Sequence, residues 1–170
     1  MAALPRTAAL LLTLPLLAAA PSPAARAAQT VTPCSIGAYV IDPDPRGLNV
    51  RAGPGTGSRV VTRLHLNDYV EVTGASGQWL RVRNASAEEG IFWRGPGWVF
   101  AQKLGTSTSE NHPVRLYREP RSGSPVVSRL NPTQVTLLGC RGDWARVQVA
   151  NLTGWLDAAS QCALTLTTCS

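Results

Sequence analysis

Apolar and polar residues alternate in short runs along most of the chain, and Gly, Pro, Asn and Asp separate the runs. Alternation with a period of two is typical of β-strands that have one buried face. No stretch keeps the period of a helix long enough to predict one. The pattern predicts five strands in one part of the chain, at 48–51, 60–65, 69–73, 78–83 and 96–100. It predicts five more at 114–117, 126–130, 134–139, 143–149 and 153–156.

The two groups of strands are an internal repeat. The segment LNVRAGPGTGSRVVTRL, which begins at Leu48, aligns with VRLYREPRSGSPVVSRL, which begins at Val114. After a deletion of one residue, WLRV at Trp79 aligns with WARV at Trp144, and GWVFA aligns with GWLDA near the end of each copy. A unit of this size that occurs twice indicates two modules rather than one domain.

Five strands in so short a unit predict a small, strongly twisted barrel, since closure removes exposed strand edges and one layer of side chains fills the interior. We therefore predict an all-β fold with two tandem small β-barrels of about five strands each. The predicted core of the first barrel consists of inward-facing aliphatic residues: Val50, Val60, Leu64, Val70, Val72, Leu80, Val82 and Val99.

The segments GLNVRAGPGTGSRVVTRLHLNDYVEV, QWLRV and GWVFAQKL together resemble the bacterial SH3-like domain, whose usual pattern opens with LNVRxGP, continues with W-x-x-V and closes with GWV. The resemblance covers Gly47 to Leu104 well. It covers 113–160 more loosely, because LYREP replaces NVRAGP there. The resemblance implies an SH3-like fold and binding to peptidoglycan or to an envelope protein, although a fold alone does not define a ligand.

The glycine-rich stretch GPGTG, residues 53–57, follows the first predicted strand of the repeat. It has neither the spacing of a P-loop nor that of a dinucleotide-binding fingerprint. The second copy has Glu119 and Arg121 in place of Gly53 and Gly55. A phosphate cradle needs unobstructed backbone amides, so we interpret the stretch as the long loop of the barrel, which lines a groove at most.

The segment ahead of the repeat has the three parts of a secretory signal peptide: Arg6, an apolar run from Leu10 to Ala20, and a small-x-small site ending at Ala27. The run is too short to span a bilayer, so we expect cleavage, no transmembrane segment in the mature chain, and a periplasmic or secreted protein. The alternative is a short buried N-terminal helix.

The predicted segments are a signal peptide at 1–27, an N-terminal segment at 28–45, the first SH3-like domain at 46–105, a linker at 106–112, the second SH3-like domain at 113–160 and a C-terminal tail at 161–170.

All four cysteines follow the predicted cleavage site, and an even count in a small exported protein indicates disulfides. Four cysteines allow three pairings. We favour Cys140 with Cys162, because both fall inside the second repeat, which leaves Cys34 and Cys169 to join the chain ends.

The composition excludes several function classes. The chain has 16 Lys and Arg against 10 Asp and Glu, but the arginines are scattered and do not form the basic stripe of a nucleic-acid binder. His65 and His112 do not lie at ligand spacing from a cysteine, so we expect no metal site and no cofactor. Two barrels also leave no span for a papain-like catalytic domain. We therefore predict a protein that is not an enzyme.

Aromatic residues are the best candidates for ligand binding. Tyr69, Trp79 and Trp98 are candidates for an aromatic groove in the first barrel, and Tyr117, which replaces Arg51, for one in the second. The first unit also has an insertion of eight residues relative to the second, around Phe92, Trp93 and Arg94. Trp93 is either a binding anchor or a side chain packed on a barrel.

These features favour an exported recognition module of the bacterial envelope that binds peptidoglycan or an envelope protein. A second hypothesis is a secreted effector or inhibitor that acts on a specific protein. A third is a small cell-wall hydrolase whose site has no recognisable motif.

Overall fold

The computed structural model describes residues 30–109 and 112–163. Their regular structure is fourteen β-strands and two single-turn 3-10 helices. The all-β fold predicted from the alternating pattern is therefore confirmed. None of the helices in the described part of the chain is long and apolar enough to cross a membrane. The predicted signal peptide at 1–27 lies outside the described residues.

The first half of the described chain contains eight strands and one 3-10 helix. They are β1 (Thr32–Val40), β2 (Leu48–Arg51), β3 (Val60–Leu64), β4 (Tyr69–Ser76), β5 (Trp79–Ala87), β6 (Gly90–Trp93), β7 (Gly97–Phe100), the 3-10 helix Ala101–Lys103, and β8 (Leu104–Thr108). The second half contains β9 (Val114–Tyr117), β10 (Val126–Leu130), β11 (Gln134–Arg141), β12 (Trp144–Val149), β13 (Leu152–Leu156), the 3-10 helix Ala158–Ser160, and β14 (Gln161–Cys162).

Each of the ten strands predicted from the repeat corresponds to a strand of the structure. Four further strands were not predicted, namely β1, β6, β8 and β14. Strand β1 lies in the predicted N-terminal segment at 28–45, and β8 extends into the predicted linker at 106–112. Strand β6 lies in the eight-residue insertion and pairs with β5.

Hydrogen bonding joins the strands into one sheet whose order is symmetric about its middle. One half runs β3-β2-β7-β5-β4-β1, and the other runs β8-β11-β12-β13-β9-β10. We call β1–β7 the first unit and β8–β13 the second unit. Strand β1 thus has the same place in the first unit that β8 has in the second, so the structural repeat begins one strand earlier than the sequence repeat.

The two units meet where β1 pairs with β8. The strands are antiparallel, with Tyr39 opposite Gly105 and Val40 opposite Leu104. The hydroxyl of Tyr39 lies 2.8 Å from that of Ser107, within hydrogen-bond distance. Burial raises the pKa of Tyr39, and the hydrogen bond with Ser107 partly opposes this. The junction is therefore a continuous part of the sheet, not a loose linker.

The core consists of the inward-facing aliphatic side chains that the alternation predicted, with one exception. Seven of the eight predicted core residues of the first unit are at most 1% exposed, whereas Val60 is 37% exposed. The exception arises from a bulge in β3. Thr62 lies opposite Val50, but Val60 lies opposite Arg51, so the register shifts by one residue between them. A one-residue shift turns a side chain to the other face of the sheet, and Val60 therefore faces outward beside Arg51.

The disulfide pairing predicted from the sequence is wrong. Cys34 in β1 is bonded to Cys140 in β11, with 5.8 Å between their Cα atoms. Two backbone hydrogen bonds hold these segments together. The amide of Ser35 donates to the carbonyl of Gly142, and the amide of Gly142 donates to the carbonyl of Pro33. Cys162 is also disulfide-bonded and is not bonded to Cys140.

The cause of the error is the position of β1. The sequence analysis assigned Cys34 to a segment outside the barrels, whereas β1 is a central strand that brings Cys34 beside the β11–β12 hairpin of the second unit. Its predicted partner, Cys169, lies outside the described residues. The Cys34–Cys140 bond therefore connects the two units.

Candidate functional site

A groove of about 560 Å³ opens on the surface of the first unit. The start of β5, the end of β7, the loop between β2 and β3, and the residues that follow β1 line it. The side chains that characterise the groove are Asp42, Asp44, Arg51, Trp79, Phe100 and Lys103. It combines an aromatic floor with charged side chains of both signs.

The aromatic floor follows from the alternation in two neighbouring strands. Leu80 and Val99 are fully buried and lie opposite each other in β5 and β7. Their neighbours Trp79 and Phe100 also lie opposite each other, and must therefore face outward. The two rings make an edge-on contact with centroids 5.9 Å apart. The sequence analysis missed Phe100, although its place directly after the inward-facing Val99 could have indicated it.

Ion pairs and hydrogen bonds fix the polar rim. The Nζ atom of Lys103 donates to Oδ1 of Asp42 at 3.0 Å, and the carboxylate of Asp42 is largely buried. The guanidinium of Arg51 donates to the carbonyl of Ser58 at 2.8 Å. This contact anchors the glycine-rich loop, in which Gly55 has a φ of 140° and lines the groove. The loop is therefore part of the groove wall. The positive φ at Gly55 is a backbone conformation that favours glycine at this position.

Asp44 stays ionised in acid because of its neighbour Arg46. Hydrogen bonds from the side chain and the backbone of Arg46 lower the pKa of Asp44 to about 2. A lowered pKa means that the carboxylate keeps its charge at every pH above that value and loses it only as the pH falls through about 2. The groove rim therefore carries this negative charge throughout the ordinary pH range.

The change Arg46→Ala tests this cause of the lowered pKa. Without the guanidinium, the pKa of Asp44 is expected to rise towards the ordinary value for aspartate, about 3.9. NMR titration of the carboxyl carbon measures the midpoint directly. As a control, Arg59→Ala removes an exposed arginine that has no part in this contact and should leave the midpoint unaltered. A midpoint that stays near 2 in Arg46→Ala would contradict the assignment.

The structure places Trp79 in the groove but separates it from Tyr69. Trp79 lies opposite Ser76 at one end of the β4–β5 hairpin, whereas Tyr69 lies opposite Ser86 at the other end. The ring of Tyr69 instead covers Gly37 of β1, where an added Cβ would come within 3.0 Å of it. Burial raises the pKa of Tyr69, and the charge of Glu71 adds to this.

Trp98 and Tyr117 lie on corresponding pairs of strands but at different positions, since Trp98 corresponds to Trp155 and Tyr117 to Arg51. Trp98 in β7 lies opposite both Arg51 and Arg81. Tyr117 in β9 lies opposite Trp155 and makes an edge-on contact with Trp144, with centroids 5.4 Å apart. Neither Trp98 nor Tyr117 lines the groove of the first unit.

The three candidate residues of the insertion differ in exposure. Phe92 is 49% exposed and Arg94 is also exposed. Trp93 is partly buried, packs against the core, and lies over two glycines. An added Cβ at Gly95 would lie 3.2 Å from its ring, and one at Gly97 would lie 3.1 Å from it. The contacts of Trp93 are thus those of a packed side chain.

Among residues 30–109 and 112–163, no group of three or more His, Cys, Asp or Glu could hold a metal ion. His65 is exposed, and its backbone amide donates to the carboxylate of Asp68 at 2.7 Å. This hydrogen bond from the backbone of His65 to the side chain of Asp68 stabilises the turn between β3 and β4.

Comparison with known proteins gives a family match and several similar solved structures. No curated protein matches the chain. The solved structures of NlpC1 and NlpC2 from Trichomonas vaginalis are 18% and 16% identical to the chain, each with a TM-score of 0.32. The matches cover 81% and 79% of this chain but 48% and 49% of those structures. The chain thus spans about half the length of the structures that it matches.

These neighbours contradict the prediction that the protein is not an enzyme. Both neighbours are named as NlpC proteins. The prediction is therefore withdrawn, and no catalytic residue is assigned to the chain.

The family match lies on the first unit. It extends from the residues before β2, through the groove walls in β2, β5 and β7, to the beginning of β8. Residues 46–104 match the family described as the bacterial SH3 domain.

Proposed function

We propose that the protein is a cell-wall recognition module and that the groove of the first unit binds peptidoglycan. The observation that carries the proposal is the aromatic floor of Trp79 and Phe100 beneath a rim of fixed charges. The match to the bacterial SH3 domain supports it, because the matched residues include both aromatic side chains and the rim residues Arg51 and Lys103.

The groove offers the contacts that a peptidoglycan fragment needs. Aromatic faces provide large apolar contact area at low entropic cost and suit sugar rings and short aliphatic side chains. The lining residues Asp42, Asp44, Arg51 and Lys103 present both signs of charge at the rim. Peptides of the cell wall also carry both carboxylates and amines, so the rim offers a partner of opposite charge for either group.

A location outside the cytoplasm agrees with these features. A bacterial SH3 domain and the Cys34–Cys140 disulfide fit an extracytoplasmic protein, since disulfides persist in oxidising compartments. As part of the proposal, the segment at 1–27 directs export to the periplasm or beyond.

Binding of the oxidised full chain to purified peptidoglycan sacculi tests the proposal. Trp79→Ala removes half of the aromatic floor and is expected to weaken binding about 30-fold, corresponding to about 2 kcal/mol. Lys103→Ala, which removes one rim charge and leaves the floor intact, is expected to weaken it less. Phe92→Ala serves as the matched control, because it removes an exposed aromatic ring outside the groove.

Wild-type affinity in Trp79→Ala, or a loss confined to Phe92→Ala, would contradict the groove as the site. Capture of a discrete envelope protein without binding to sacculi would favour the effector or inhibitor hypothesis instead. The same incubation, followed for released soluble fragments, shows whether binding is accompanied by hydrolysis.

A further inference from the structure

The two units differ in how many of their basic side chains have a polar partner. Six of the eight basic residues in the first unit have a polar partner: Arg46, Arg51, Arg63, Arg81, Arg83 and Lys103. The described residues of the second unit include six arginines against three acidic residues. Of these arginines, Arg121 pairs with Glu119, and no partner is found within the described residues for the other five: Arg115, Arg118, Arg129, Arg141 and Arg146. All five are exposed.

Two of the unpaired arginines face each other directly. Arg115 in β9 lies opposite Arg129 in β10. Like charges at directly opposite positions of a sheet destabilise it. The corresponding pair of the first unit is Asn49 and Arg63, and there the Nε atom of Arg63 donates to the side-chain oxygen of Asn49 at 3.0 Å. The second unit thus has two unpaired charges where the first has a satisfied hydrogen bond. An anion bound between the two guanidinium groups would relieve the repulsion.

Aromatic side chains continue this face. Arg115 and Tyr117 flank the buried Leu116, so both point outward. Tyr117 lies opposite Trp155 and contacts Trp144. The remaining unpaired arginines extend the same arrangement, because Arg146 lies opposite Trp155 and Arg141 lies opposite Trp144. Three aromatic rings are therefore interleaved with unpaired guanidinium groups.

The described acidic residues of the second unit do not neutralise the face. The carboxylate of Glu119 is paired with Arg121, and that of Asp157 accepts a hydrogen bond from the backbone of Ser160. Asp143, exposed beside Trp144, remains. Among the described residues, one unpaired carboxylate against five unpaired guanidinium groups leaves the face strongly positive.

We propose that the outer face of the second unit, formed by Tyr117, Trp144 and Trp155 with Arg115, Arg129 and Arg146, binds an acidic polysaccharide. Guanidinium groups form paired hydrogen bonds with carboxylate, phosphate or sulfate groups. The aromatic rings provide flat apolar contacts for the sugar units between those groups. Aromatic and arginine side chains also suit single-stranded nucleic acid. A polysaccharide fits better, because the Cys34–Cys140 disulfide favours an oxidising compartment.

Binding of the oxidised full chain to four defined polymers tests this proposal, with tryptophan fluorescence as the readout. Alginate carries carboxylates on sugars, dextran carries sugars without charge, polyglutamate carries carboxylates without sugars, and oligo-deoxythymidine represents nucleic acid. We expect alginate to bind at least tenfold more tightly than polyglutamate or oligo-deoxythymidine, and dextran not to bind. Dextran sulfate, compared with alginate, distinguishes sulfated from carboxylated ligands of the same class.

The double variant Arg115→Gln with Arg129→Gln is expected to weaken alginate binding at least tenfold. Because it removes a like-charge pair, its melting temperature should equal or exceed that of the wild type. The control Arg59→Gln with Arg63→Gln removes the same net charge from the first unit and should change the affinity less than twofold. Tyr117→Ala should weaken alginate binding without affecting the residual binding of polyglutamate.

Equal losses in the two double variants would show general charge attraction and overturn the proposal. Oligo-deoxythymidine or polyglutamate binding as tightly as alginate would also overturn it, as would the absence of alginate binding by the wild type. These outcomes are independent of the groove in the first unit, whose test uses sacculi and Trp79.

Discussion

Replacement of both Cys34 and Cys140 by alanine is expected to lower the free energy of unfolding by about 2–5 kcal/mol. The bond closes a loop with a sequence separation of 106 residues. In the chain-entropy account a loop of that length contributes about 4.7 kcal/mol, and measured effects of native disulfides span a wider range. It also joins the first unit to the second, so its loss should reduce the cooperativity between them. Thermal unfolding should show a melting temperature lower by roughly 4–20 °C.

The two single replacements provide the control. Each removes the same bond, so Cys34→Ala, Cys140→Ala and the double variant should lose similar stability, and the single effects should not add. Digestion without reduction should release a peptide in which Cys34 is linked to Cys140. An unchanged melting temperature in the double variant would contradict the stabilising role of the bond. Stability losses that add would contradict the assigned pairing.

Replacement of Trp93 by alanine is expected to cost about 2–4 kcal/mol of folding stability. Trp93 is partly buried against the core and covers Gly95 and Gly97. Truncating a large packed aromatic side chain leaves a cavity that the surroundings fill only partly. Binding to sacculi, measured on the protein that remains folded, should be unaltered. Denaturant unfolding followed by circular dichroism measures the loss.

The neighbouring Phe92 is the matched control for Trp93. It lies one residue away in β6 but is 49% exposed, so Phe92→Ala should change stability by at most about 0.5 kcal/mol. If Trp93→Ala instead weakens binding and leaves the melting temperature unchanged, Trp93 is a binding anchor and the packed interpretation is wrong.

The insertion therefore combines two kinds of side chain on one hairpin. Trp93 packs on the closing strand because Gly97 leaves space for its ring, and an added Cβ at Gly97 would overlap Val50. Ile91 and Phe92 are exposed on the same hairpin, at 47% and 49%. In the second unit an added Cβ at the corresponding Gly154 would overlap Leu116 and the backbone carbonyl of Tyr117. Both units therefore require a glycine before the tryptophan of this strand.

The alternation of apolar and polar residues determined the strands and most of the core. Ten strands were predicted from it, and seven predicted core residues, such as Val50 and Leu80, are buried. These features depend on neighbours along the chain, because a strand with one buried face repeats every two residues. The resemblance of residues 46–104 to a bacterial SH3 domain is likewise a property of the sequence.

The outward position of Trp79 also follows from the sequence pattern, because Trp79 directly precedes the inward-facing Leu80. It did not reveal that Phe100 lies beside Trp79, because that contact depends on the register between β5 and β7. Nor did it separate Tyr69 from Trp79, because the distance between them is set by the length of the β4–β5 hairpin. Which side chains line the same groove depends on how three strands and a loop are arranged relative to one another.

Only the tertiary structure decided how the two units join. Strands β1 and β8 share little sequence, yet they take equivalent places and pair with each other at the centre of the sheet. The pairing brings Cys34 to Cys140, and the bulge in β3 turns Val60 outward. Local periodicity specifies which face of a strand is buried, but backbone hydrogen bonds pair strands irrespective of their side chains. The choice of neighbouring strand, the register and the disulfide therefore depend on contacts between residues that are distant in the chain.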